Sequence, residues 1–152
     1  MTNDKVIAVL NELIETSVDG ARGFQSCAEE VKEPELKAIF IQASQRCRNG
    51  AIDLQDQVRR LGGDPARTGS AAGTVHRTWV DIEAALSGKD PLVILAEIEA
   101  GEEFAERRYR EALEKDLPNQ IRAIVERQHL GLQEKLNTVR ELKTRYLSSS
   151  GQ

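Results

Sequence analysis

Apolar and small residues recur along most of this chain at steps that alternate three and four, in four stripes separated by proline or glycine. The first runs Val6, Leu10, Leu13, Ser17, Gly20, Phe24, Cys27 and Val31. Such steps place every member on one side of an α-helix, whereas a half-buried strand would alternate every second residue. Pro34 suits the first turn of a new helix, where the missing N–H has no intrahelical partner to lose. The second stripe follows as Leu36, Phe40, Ala43, Cys47, Gly50, Leu54, Gln57 and Leu61, and Leu61-Gly62-Gly63-Asp64-Pro65 stops it. Asp90-Pro91, an N-cap followed by proline, opens a third stripe of Leu95, Ile98, Glu102, Ala105, Tyr109 and Ala112. Pro118 opens the fourth, Ile121, Val125, Gln128, Leu132, Lys135, Val139, Leu142 and Tyr146. The pattern predicts helices over 3–32, 34–61, 91–115 and 118–147, a shorter helix over 74–86, and a disordered tail at 148–152. At 152 residues this is one all-α domain, 1–147.

The two halves share a frame. An offset of 85 carries Phe24 to Tyr109, Leu36 to Ile121, Phe40 to Val125, Cys47 to Leu132, Leu54 to Val139 and Leu61 to Tyr146. Two helical hairpins in one register suggest a duplicated unit. Short loops near residues 33 and 117 make each hairpin antiparallel. A helix of 28 residues is about 42 Å long, a span that a connection of about 27 residues with one short helix can cover. One long crossover is the ferritin-like variant of the antiparallel four-helix bundle, with the crossover carrying a short fifth helix. The stripes place Phe24, Phe40, Leu54, Ile98, Tyr109, Val125, Leu132 and Val139 in one core.

Composition narrows the function classes. Aromatics are 4% of the chain, too few for a β-sandwich core or a base-stacking groove. A net charge of -4 gives no general attraction to nucleic acid. Arg107, Arg108 and Arg110 sit among Glu103, Glu106, Glu111 and Glu114, a salt-bridged solvent face rather than a nucleic-acid footprint. No apolar run approaches the ~20 residues of a membrane span and no leader pattern opens the sequence, so a cytoplasmic protein is expected. Cys27 and Cys47 fall on core stripes and are expected reduced. With the hairpin folded at Pro34, Cys47 lies opposite a residue near 20 and roughly 10 Å along the axis from Cys27, too far for a disulfide.

The stretches Leu10 to Gly20 (LNELIETSVDG), Leu61 to Pro65 (LGGDP), Gly73 to Leu86 (GTVHRTWVDIEAAL) and Ile94 to Leu113 (ILAEIEAGEEFAERRYREAL) resemble an uncharacterised bacterial family of ferritin-like four-helix-bundle proteins known as a domain of unknown function. The resemblance implies a ferritin-like fold, a cytosolic location and a stress-response setting. It brings no established reaction.

Ferritin-like di-iron proteins draw one inward Glu from each of two helices and a Glu-x-x-His pair from each of the others. Here the third helix offers Glu102, but its counterpart 85 residues earlier is Ser17, and the facing levels hold Cys47, Gly50, Leu132 and Lys135. Glu126-Arg127-Gln128-His129 matches the motif as a string, yet at 100° per residue His129 falls at the edge of the core stripe and Glu126 well toward solvent. Glu102, Glu126 and His129 are therefore the only metal candidates, iron being the alternative to a protein without cofactor. A carboxylate on a core stripe must be paired, hydrogen-bonded or protonated. Lys135, Arg46 or Arg48 are the partners within reach of Glu102, and Gln128 completes a polar core. In the crossover, Trp79 reads as an anchor on the bundle and His76 as a hydrogen-bonding neighbour near the helix start. No nucleophile triad and no phosphate loop can be assembled from the string, since Leu61 to Pro65 lacks the lysine and hydroxyl of that motif.

Three functions remain open on this reading. One is a non-catalytic bundle acting by binding or self-association with a second copy or a protein partner. Another is a metal-binding protein or di-metal oxidase. The third is a small-molecule sensor, suggested by glycine and alanine at several core positions.

Overall fold

The computed structural model describes residues 1–71, 73, 88 and 90–150. Four helices order the chain: α1 (Asn3–Glu30), α2 (Pro34–Arg60), α3 (Pro91–Leu113) and α4 (Asn119–Ser150), with no strand among the described residues. The punctuation acts as its chemistry requires. Asp90 caps α3 by accepting the Leu92 N–H at 2.9 Å, with Pro91 in the first turn. Thr2 accepts from Lys5 at the start of α1, and Gly62 leaves α2 at φ +83, a conformation costly for any residue with a Cβ. The last helix runs beyond its final core residue to Ser150, so Ser148 and Ser149, expected in a disordered tail, are exposed helical residues. The expected helix over 74–86, with His76 and Trp79, lies outside the described residues.

Burial follows the stripes, and the eight expected core residues are all buried. They do not form one core, however. One cluster packs the α1–α2 hairpin tip, through Phe24, Val31, Leu36 and Phe40, against the start of α3 (Ile94, Leu95, Ile98) and the end of α4 (Val139, Leu142). A second packs the start of α1 and the end of α2, through Val6, Leu10, Leu54 and Val58, against the α3–α4 hairpin (Tyr109, Ala112, Leu117, Ile121, Val125, Leu132). The two hairpins thus point in opposite directions. The link from α2 to α3 starts at one end of the bundle and finishes at the other, which is the ferritin-like crossover. Its first residues lie along α1: Asn11 Nδ2 donates to Asp64 O and its Oδ1 accepts from Ala66 N, while Asp19 accepts from Ser70 N at 3.0 Å and Ser70 Oγ at 2.5 Å.

Candidate functional site

Between the two apolar clusters lies a polar layer built from all four helices. Its register is fixed by the hairpin packing. A Cβ placed on Gly20 would come 3.2 Å from Cys47 Sγ, so the glycine lets α1 and α2 approach at the level predicted for Cys47. Cys27 is buried and Cys47 half-buried, and neither is in a disulfide.

One strand of the layer is neutral. Tyr109 Oη donates to Gln128 Oε1 at 2.8 Å, so its contact with Ser17 Oγ at 3.1 Å is one in which the serine donates. Gln128 Nε2 then donates to the Gly50 carbonyl at 3.1 Å. This chain joins α1, α3, α4 and α2 in turn. Burial pushes the Tyr109 phenol up to about 12, only partly offset by Ser17, so the phenol stays protonated and keeps donating.

The other strand carries charge. Glu102 is 5% exposed, and its Oε2 stands 3.5 Å from Lys135 Nζ. That separation gives charge attraction without an aligned hydrogen bond, and Oε2 accepts none from any group described. Lys135 instead donates to Cys47 Sγ at 3.1 Å and lies 5.2 Å from the centre of the Phe24 ring, a cation–π contact. Burial pushes the Glu102 carboxyl up, with Lys135 pulling it back in part. Burial works against the Lys135 ammonium, but Glu102 and Cys47 outweigh it and hold its proton more tightly than usual. The pair behaves as one ionised unit, because neutralising either member strands the other charge. The Cys47 thiol is raised chiefly by burial, with Lys135 opposing, and is held as a thiol rather than an activated nucleophile.

This layer borders a cavity of about 1020 Å³ with mainly apolar walls, and Glu102, Lys135, Tyr109 and Gln128 are among the described residues that line it. Glycines 20, 23, 50, 101 and 131 contribute to its lining, and a Cβ on Gly23 or Gly131 would meet nothing described within 4 Å.

Of the residues expected in the polar core, Glu102, Gln128 and Lys135 meet in this layer. Arg46 does not join them: it lies one residue, about 100°, off the Cys47 stripe position and is exposed at the cavity rim, and Arg48 is exposed as well. Glu126 is 56% exposed on the outer side of α4, with Arg122 at 4.0 Å, while His129 faces Glu106 on α3 at 3.4 Å. The Glu-x-x-His string therefore splits between two surroundings. No three His, Cys, Asp or Glu side chains come together as a metal-holding group among the described residues. One carboxylate opposed by an ammonium does not fit a di-iron centre, whose charge calls for several carboxylates. The arginine-rich face of α3 forms salt bridges, as expected, but mostly between helices: Arg108 with Glu12 of α1, and Glu99 and Glu103 with Arg140 of α4. Sequence reasoning placed Ser17 and Tyr109 on core stripes without seeing them as partners. A polar oxygen on each stripe was the available signal.

The family described as a domain of unknown function (DUF2383) matches residues 5–115. No match to the chain was found among curated proteins. Among solved structures, the fold is similar to a point mutant of Dps1 from Mycobacterium smegmatis, with a TM-score of 0.75 and 13% identity over 93% of this chain and 96% of that one. That likeness concerns the fold, a ferritin-like four-helix bundle. No described helix is long and apolar enough to cross a membrane.

Proposed function

The chain belongs to the DUF2383 family, and we propose that it is a non-catalytic ferritin-like bundle that works by binding, holding a small organic molecule at its centre without a metal cofactor. One observation carries this reading. Among the described residues the bundle centre holds a single carboxylate, Glu102, already opposed by Lys135, and the polar layer borders a cavity of about 1020 Å³. A site of that size, mainly apolar with a few converging polar groups, has the character of a ligand pocket. Among the described residues no nucleophile activated by a base stands there, since Cys47 is a raised thiol beside an ammonium.

Self-association belongs to the same reading. Ile41 and Ile52 stand about three turns apart on the outer side of α2, 55% and 58% exposed, and Leu130 of α4 is 60% exposed. A second copy or a protein partner covering them would remove apolar surface from water. The cytoplasmic, stress-related bacterial setting rests on the family resemblance.

Purified protein incubated with ferrous iron tests the proposal. Bound iron well below one ion per chain without oxygen uptake is expected, and native mass spectrometry should show a bound organic adduct of low mass. About two irons per chain with oxygen consumption would overturn it in favour of a di-metal oxidase.

A further inference from the structure

Helix α2 buries Leu36, Phe40, Leu54 and Val58 completely, yet leaves Ile41 and Ile52 55% and 58% exposed. The two isoleucines belong to one row on its outer side: Lys37, Ile41, Gln45, Arg48, Ile52 and Asp56, spaced by four except for one step of three. All but the half-buried Lys37 are exposed. Such spacing keeps the members on one side of the helix, and rows of this kind are the ridges by which two helices interlock, most often at about −50°.

The row is palindromic in its chemistry. Reversed about the midpoint between Gln45 and Arg48, it carries Ile41 onto Ile52, Lys37 onto Asp56 and Gln45 onto Arg48. A two-fold axis at that point sets each member against a complementary one: apolar on apolar, cation on anion, amide carbonyl on guanidinium. Each contact then occurs twice. A parallel arrangement would instead set Lys37 on Lys37 and Asp56 on Asp56, which repel. Both charged groups have capacity left for a partner. Lys37 Nζ donates to Ala28 O at 2.8 Å and keeps two further N–H donors. Asp56 stands 3.2 Å from Arg60 with both side chains more than half exposed, and a carboxylate accepts from several donors.

We propose that this face of α2 docks on the same face of a second copy of the chain, the two helices crossing antiparallel about a two-fold axis between Gln45 and Arg48. This names the partner and the surface for the self-association read above and rests on that reading. A single row of side chains makes a small interface, so the dimer belongs to the weak end of the range, with a dissociation constant of roughly micromolar to tens of micromolar order.

Sedimentation velocity over a concentration series reaching about 500 μM reads the association, with helix content checked by circular dichroism. The proteins compared are the wild type, Lys37→Asp, Asp56→Lys, an equimolar mixture of those two variants, and the double variant Lys37→Asp/Asp56→Lys. The wild type should form dimers. Each single variant sets like charges together at both contacts and should associate at least about tenfold more weakly. In the mixture each contact again joins one acid and one base, so heterodimers of wild-type strength should form, and the double variant should pair with itself as the wild type does. A dimer that both single variants leave unchanged, or a failure of the mixture and the double variant alike to recover it, would overturn the α2 assignment and leave self-association to another surface. A wild type that stays monomeric throughout the series would overturn both, without changing the expected iron and adduct readings.

Discussion

Removing Glu102 and Lys135 separately and together is predicted to give strongly non-additive losses of stability. The Nζ–Oε2 distance is 3.5 Å, with side chains 15% and 6% exposed. At an effective dielectric of about 20 that separation corresponds to about 5 kcal/mol of attraction. Both ions also lose hydration on burial, so the net worth of the pair is far smaller than the penalty for breaking it. Glu102→Leu leaves the ammonium facing apolar walls and is expected to cost about 3 to 5 kcal/mol, a fall in melting temperature of roughly 6 to 20 °C. Lys135→Met leaves the carboxyl without its cation and raises it further. Burial already holds this carboxyl above its ordinary value. A carboxyl raised in the native state contributes stability that is fully present below the unfolded value and is lost as pH rises through the native one. The Lys135→Met protein should therefore become more stable as the pH is lowered from 7 toward 5. The double variant Glu102→Leu/Lys135→Met, with apolar groups of similar size, should return to within about 1 kcal/mol of the wild type. Urea unfolding followed by circular dichroism reads all four proteins. A double variant whose loss equals the sum of the single losses would refute the reasoning, because the two groups would then act independently.

Glu102→Gln should be milder than Glu102→Leu, since the amide keeps some hydrogen bonding, and neither should alter metal content, as denaturation curves and metal analysis would show. Phe40→Ala and Leu132→Ala, one in each apolar cluster, should each cost roughly 2 to 5 kcal/mol; melts unchanged by both would mean the clusters are assigned wrongly. Tyr109 should ionise near 12 in the native protein. Its contribution to stability is then complete below about 10 and is lost as pH rises from about 10 to 12, so a tyrosinate absorbance titration should show unfolding coupled to its ionisation.

Much of this architecture is legible in the string because helix periodicity and cap chemistry are local. Asp90-Pro91 and Leu61-Gly62 set boundaries within a residue or two, and the 85-residue echo pairs positions of like burial, such as Phe40 with Val125 and Leu61 with Tyr146. The partnership of Glu102 with Lys135 follows from the same register, since both lie on core stripes at one level and a lysine has the reach. What the string leaves out is the direction of side chains across the bundle. Ser17 and Tyr109 are 92 residues apart, and only the packing of α1 against α3 brings their hydroxyls within 3.1 Å. Arg46 has the right level and charge but the wrong side of its helix. Glu126 and His129 have motif spacing, which says nothing of whether a neighbouring helix supplies the remaining ligands. The single core expected from the stripes is divided because polar side chains at Ser17, Glu102, Gln128 and Lys135 occupy the middle of them.

A crystal structure of iron-soaked protein, read for anomalous scattering at the iron edge around Glu102, tests the central claim most directly. The account predicts no metal in the polar layer and Lys135 Nζ beside the carboxylate. Two metal ions bridged by Glu102, with Lys135 turned away, would contradict it.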